Sequence, residues 1–253
     1  MSEYKSIAIT GASRGLGCEL ALNFAQKGVK FFLNARDESA LKALKNELEA
    51  RDCEVEIAAF DIADENLSKA WCESIFKENL DLLILNAGIS SGVDESAHKQ
   101  IEISRINVLG TAAPLFYALE KMSAQALNES GFKGQIAFIS SIASLLALPN
   151  APAYSASKHF SRALGEALAL AYPQICFSMI CPGFIKTDLT KHIKNLKMMS
   201  VSTAAFKITK AIQAKKRFYA FNFSTFLIAK IYNLCPFFIK KIFVNFLKNR
   251  AKL

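Results

Sequence analysis

The sequence is marked first by what it lacks. No Asp or Glu follows Asp188, whereas 14 of the 31 lysines and arginines lie beyond it. The other 17 basic residues share the stretch up to Asp188 with all 22 acidic ones, so a mildly acidic body precedes a strongly basic C-terminal quarter. The six cysteines form no C-x-x-C pair and no metal-ligand spacing. That excludes a disulfide framework and a thiolate metal site, and reduced thiols of an intracellular protein are expected. Cys181, beside a Pro-Gly turn, is expected to pack rather than react, and the three histidines share no metal spacing either. No signal-peptide pattern opens the chain, which makes the cytoplasm the expected location. No repeat, low-complexity run or linker divides it, so one domain is expected over residues 1–221, with an extension over 222–253. Within the basic quarter the longest uncharged stretch, Phe218–Ala229, has 12 residues, short of the ~20 needed to span a bilayer.

That extension is aromatic as well as basic. Phe223–Leu234 and Phe237–Lys248 read as two apolar-rich helices separated at Pro236, which cannot continue a helix interior. Basic, aromatic helices too short to span are expected to lie in a membrane interface. The alternative is an extension folded on its own body or on a partner subunit. No recognition motif accompanies the charge, so nucleic acid is not an expected partner.

The body alternates strand-like and helix-like runs, which argues for an α/β fold with a parallel sheet covered on both faces. Strands are predicted near 6–10, 30–34, 54–60, 80–86, 135–140, 175–181 and 218–221. Helices are predicted near 15–27, 39–51, 64–78, 99–128, 154–171 and 201–215, with Gly28 as a helix stop.

Tyr154 precedes Lys158 by four residues and follows Ser141 by thirteen. On a helix, i and i+4 share a face, so a protonated Lys158 is expected beside the Tyr154 phenol, drawing its pKa down from ~10. Such a tyrosine exchanges protons with an alcohol or ketone near neutral pH. Ser140 is the adjacent rival to Ser141, and the separation from Tyr154 favours Ser141. At the other end of the body a strand-like run, Ser6–Thr10, leads into Gly11-Ala12-Ser13-Arg14-Gly15-Leu16-Gly17 and an amphipathic stretch. Strand, glycine-rich turn and helix place a dinucleotide pyrophosphate on a helix N-terminus.

These residues, spaced Gly-x-x-x-Gly-x-Gly, make the chain resemble the short-chain dehydrogenase/reductase family in its single-domain branch, from Ser6 to about Phe221. The resemblance implies a Rossmann-type, doubly wound, seven-stranded parallel sheet of order 3-2-1-4-5-6-7. It also implies roles for several residues. Asp61, with Ile62 after it, matches the adenine-contacting acid. Leu85-Asn86-Ala87-Gly88 matches the Asn-Asn-Ala-Gly signature, with Leu85 departing from its first Asn. Asn107 completes an Asn-Ser-Tyr-Lys tetrad with Ser141, Tyr154 and Lys158, and is expected to hold a water through which Lys158 is reprotonated. Lys158 is expected to bind the nicotinamide ribose as well. Pro182, Gly183 and Thr187 match the segment around the nicotinamide. Pairing as a homodimer or homotetramer through the helices near 99–128 and 154–171 is expected.

No acid occupies Ala35 at the end of the second predicted strand, and Arg36 follows it, with Arg14 adding charge from the glycine loop. NADP is therefore expected ahead of NAD. The family's enoyl reductases place Lys seven residues after Tyr, but here that position is Ser161. The remaining chemistry is hydride transfer between NADPH and a ketone or secondary alcohol. The segment after Thr187 supplies Leu189, Ile193, Leu196, Met198 and Met199 with Lys191, Lys194 and Lys197. As a lid over the substrate it would suit an apolar or lipid-like carbonyl compound. Two alternatives compete: a membrane-tethered NADP-binding protein with little turnover, and a serine hydrolase using Gly11-Ala12-Ser13-Arg14-Gly15 as a nucleophile elbow. The hydrolase leaves Tyr154, Lys158 and Asn107 without a purpose.

Overall fold

The computed structural model describes residues 4–193, 198–221 and 231–242. Seven parallel strands form one sheet in the order β3-β2-β1-β4-β5-β6-β7, as the resemblance implied. They are β1 (Ser6–Thr10), β2 (Lys30–Ala35), β3 (Glu54–Ala59), β4 (Leu82–Leu85), β5 (Gln135–Ile139), β6 (Cys176–Cys181) and β7 (Phe218–Ala220). β1, β4, β5 and β6 are buried along their whole length, which is why they read as near-continuous apolar runs rather than alternating ones.

Helices α1 (Gly15–Phe24), α2 (Glu38–Glu49) and α7 (Val201–Gln213) cover one face of the sheet. The other face is covered by α3 (Glu65–Ile75), α5 (Gly110–Ser123) and α6 (Pro152–Ala171), with α4 (Ala97–Ser104) packed against α6. On α2 the apolar spacing Leu41, Leu44, Leu48 turns one stripe into the core. Asp37 caps that helix by accepting from the Ala40 amide, and Asp64 caps α3 by accepting from Leu67, each worth ~1 kcal/mol.

Two predicted helices differ from the structure. The stretch near 99–128 is not one helix, because a π turn at Arg105–Leu109 separates α4 from α5. The first helix ends at Phe24 rather than residue 27, and Gly28 (φ +80°) sits in the turn beyond it, its amide donating to Asp52. The cleft lies at the C-terminal ends of β1 and β4, where chain order reverses, the position at which open α/β sheets bind ligands.

Candidate active site

The glycine loop is shaped by contacts that leave no room for side chains. A Cβ on Gly17 would stand 2.3 Å from the Gly11 carbonyl oxygen, and one on Gly11 (φ +67°) would stand 2.8 Å from the Ala87 Cα. Asn86 Nδ2 donates to the carbonyls of Thr10 and Gly11 at 3.0 Å each. The Asn86 and Ala87 amides both donate to Thr10 Oγ1 at 3.0 Å. The loops after β1 and β4 are thus one unit. Helix α1 then starts at Gly15 without a capping side chain and with no acid in its first turn, whereas α2, α3, α4 and α7 are each capped by an Asp or Ser. Its first amides, with Ser13, Arg14 and Leu16 beside them, border a cleft of about 260 Å³. An uncapped helix N-terminus behind a tightly folded glycine turn fits a dinucleotide pyrophosphate.

The rest of the cleft is lined by side chains from distant elements. Lys158, one turn after Tyr154 on α6, donates from Nζ to the Ile139 carbonyl at 3.0 Å and stands 5.7 Å from the Tyr154 ring centre. Ser141 caps the single turn Ile142–Ser144, its Oγ accepting from the Ala143 amide, and its hydroxyl lies close enough to the Tyr154 phenol to favour the ionised form. Ser140 faces the core instead, between the Lys158 carbonyl and Ser161 Oγ. Asn107 sits in the π turn. Its Nδ2 donates to the Ile89 carbonyl (2.9 Å) and to Ser157 Oγ (3.1 Å), and its Oδ1 accepts from the Ile89 amide (2.8 Å). A Cβ on Gly88 would come within 3.2 Å of Asn107 Oδ1 and 3.7 Å of Lys158 Nζ, so the absence of a side chain there lets these groups gather. Pro182 accepts from the Ile142 amide at 2.8 Å, tying its turn to that of Ser141, and Gly183 and Thr187 complete the wall.

The short chain dehydrogenase family model matches residues 5–197. The chain belongs to that family. An uncharacterized oxidoreductase of Myxococcus xanthus is 33% identical to this dehydrogenase over 197 residues, 74% of each chain. Its fold is similar to a short chain dehydrogenase/reductase from Burkholderia phymatum in complex with NAD (TM-score 0.77, 21% identity, 92% and 94% of the two chains). It is also similar to a short chain dehydrogenase from Burkholderia cenocepacia in complex with NADP (TM-score 0.76, 22% identity, 92% and 94% covered). This dehydrogenase is thus an oxidoreductase dependent on a nicotinamide dinucleotide.

Electrostatics in the dehydrogenase depart from the sequence expectation. Burial raises the Tyr154 pKa above its ordinary value of 10.0, opposed by the Ser141 hydrogen bond, and burial lowers Lys158 from 10.5 to about 8. The phenol does not move down as expected: desolvation disfavours the charged forms of both groups, and for the tyrosine it exceeds the opposing effect of Ser141. At the far end of the cleft, burial raises Asp61, but hydrogen bonds from Arg105 (2.6 Å) and the Ala63 amide outweigh it and hold the carboxyl below its usual range. Arg105 lies 44 residues from Asp61, a pairing with no local sequence signal. Ile62 packs against Gly110, where a Cβ would come within 2.8 Å of it. Arg36 is exposed at the rim and makes no ion pair among the described residues, while Arg14 reaches Asp188 at 3.6 Å across the cleft mouth.

Leu85 is buried in the core below its loop, so an apolar residue serves where the family signature has Asn. Cys181 is buried, its Sγ 3.4 Å from Ser144 Oγ, in a packing position. Of the expected lid, Leu189 lines the cleft and Met199 pairs back with Phe184 and Lys186, while Lys194, Leu196 and Lys197 lie outside the described residues.

Proposed function

We propose that this dehydrogenase interconverts a ketone and a secondary alcohol with NADP, on an apolar, lipid-like substrate. The observation that carries the NADP reading is Arg36, exposed at the rim with no carboxylate in ion-pair contact among the described residues, only the more distant charges of Asp61 and Glu102, and with Ala35 where an acid would repel a 2′-phosphate. When bound, the nicotinamide supplies or accepts the hydride. In reduction, Tyr154 donates its proton to the substrate oxygen while Ser141 holds that oxygen by hydrogen bond. Lys158, while protonated, stabilises the phenolate left behind and holds the ribose. Asn107, fixed to Ile89, lies beside Lys158 and supports its reprotonation through a water. Arg14, Gly11, Ser13, Gly15, Leu16 and Gly17 hold the phosphates. Asp61 and Ile62 hold the adenine; Asn86, Ala87, Gly88, Pro182, Gly183 and Thr187 enclose the nicotinamide half. The Tyr154–Ser141 contact favours turnover over the reading of a nucleotide-binding protein with little activity.

Ile89, Ile106, Ile185 and Leu189 line the cleft and support an apolar substrate. Exposed Leu109, Phe116 and Leu170 support pairing of copies through α5 and α6. The extension is read as a peripheral membrane contact. Oxidation of NADPH and NADH against ketones of graded chain length tests the assignment. NADPH is expected to be preferred by about tenfold or more, with kcat/KM rising with chain length. Preference for NADH would overturn the cofactor reading, and preference for short soluble ketones would overturn the substrate reading.

A further inference from the structure

We infer that the segment 231–242 is an arm that seats on an anionic bilayer and, through Asn233, positions the turn that carries Ser141. The inference rests on the proposed role of Ser141 for its link to catalysis and deepens the proposed membrane contact of the extension, to which it adds the link through Asn233. Asn233 Nδ2 donates to the Leu145 carbonyl at 2.7 Å. Leu145 terminates the single turn Ile142–Ser144, and Ser141 caps the other end of that turn. One side chain of the extension therefore grips the far end of the turn whose near end carries the hydroxyl facing Tyr154. The turn is otherwise held by Arg162 Nε on the Ser144 carbonyl (3.1 Å) and by the Pro182 carbonyl.

The arm is built for a surface rather than a core. Helical pieces 231–234 and 237–242 flank Pro236, and the remainder of the two predicted helices, 223–230 and 243–248, lies outside the described residues. Leu234 is 86% exposed and Phe237 82%, and Ile231, Phe238, Ile239 and Ile242 are also exposed. Six large apolar side chains facing water in twelve residues need a cover. Lys240 Nζ binds the Asn233 carbonyl at 3.1 Å and lies 5.5 Å from the Tyr232 ring centre, linking a basic side chain to the residue that grips the turn. Beneath the arm, a cavity of about 750 Å³ lined by Leu145, Ala169, Phe177, Met179 and Phe218 lies between it and the sheet edge.

The basic charge beyond Asp188, with no acid to give it a directional pattern, complements an anionic lipid surface. No helix of the described residues is long and apolar enough to cross a membrane, so the contact is interfacial.

The test uses the full chain with phosphatidylcholine vesicles, with and without phosphatidylglycerol. Co-sedimentation is expected with the anionic vesicles and to fall steeply with salt. F237E combined with F238E should weaken it about a hundredfold while leaving turnover of a soluble ketone unchanged. Anionic vesicles should slow amide exchange at Ala143, Ser144 and Leu145 by about tenfold. N233A should keep sedimentation but lose that slowing, and N233Q should restore part of it. Equal sedimentation with neutral vesicles, self-association that replaces vesicle binding, or unchanged slowing in N233A would overturn the inference. The exchange readout needs no turnover, so inactivity toward every ketone would count against the proposed reaction alone, whereas loss of charge-dependent binding counts against the arm.

Discussion

The two ends of the cleft are built from different materials. At the glycine-loop end the shape is made by backbone: Gly11, Gly15 and Gly17, the carbonyls that hold Asn86, and the first turn of α1, which no side chain caps. At the other end it is made by side chains from separate elements, with Ser141 after β5 and Tyr154 and Lys158 on α6, while Asn107 on the π turn is buried behind them against Ile89 and Ser157. A backbone site fails by crowding, which harms folding and binding together. A side-chain site fails by losing a functional group, which harms chemistry and leaves the scaffold standing.

The sharpest test of that division is Tyr154→Phe, expected to cut kcat by ~10³-fold or more while NADPH still binds. Single-turnover kinetics beside a fluorescence titration would separate the two, and lost binding would erase the contrast. Gly17→Ala should do the reverse. Its Cβ meets a backbone oxygen at 2.3 Å, so a loss of ~1–3 kcal/mol of stability should accompany weakened NADPH affinity. A thermal melt without nucleotide reads the first part.

Arg36→Asp should raise KM for NADPH by about tenfold to a hundredfold and leave NADH nearly unaffected. Equal effects on both would place Arg36 outside the cofactor site. Smallest and most diagnostic is pH. With Lys158 near 8 in the folded chain and 10.5 as its ordinary value, its stabilising charge on the phenolate is present below about pH 8 and fades above it. Reduction should therefore decline through that range, and Lys158→Met should abolish the inflection. The same shift makes the buried ammonium a cost to folding at neutral pH. Stability should rise between about pH 8 and 10.5, where the unfolded chain binds more protons, and this rise should be absent in Lys158→Met.

How legible each end was in the sequence follows the same division. The glycine loop is seven consecutive residues between a strand and a helix, so local pattern suffices to place it, and the sheet order came with the resemblance. The Tyr154–Lys158 pair is likewise local. The direction of its pKa shifts was not legible, because burial is a property of the assembled core and i,i+4 spacing reports proximity alone. Nor could spacing reveal that Asp61 would pair with Arg105, or that Asn107 would be clamped on Ile89, since both depend on elements brought together by the sheet. The π turn escaped for another reason: the run around residues 99–128 keeps a helical pattern, and one extra residue is absorbed within it. For Leu85 the family signature supplied only the exception, and burial supplied its reason.

That extra residue has a consequence for how the protein could be silenced. In an ordinary α-helix each residue turns the chain by about 100°, so removing one residue from Arg105–Leu109 would relax the bulge and swing Asn107 around the axis. Its grip on Ile89 and its place beside Ser157 would go with it, while α5 kept its seat in the core. Asn107 is held beside Gly88 and Ser157 by a miscount in the helix rather than by the helix itself, and a deletion that touches none of the four proposed catalytic side chains would take it away.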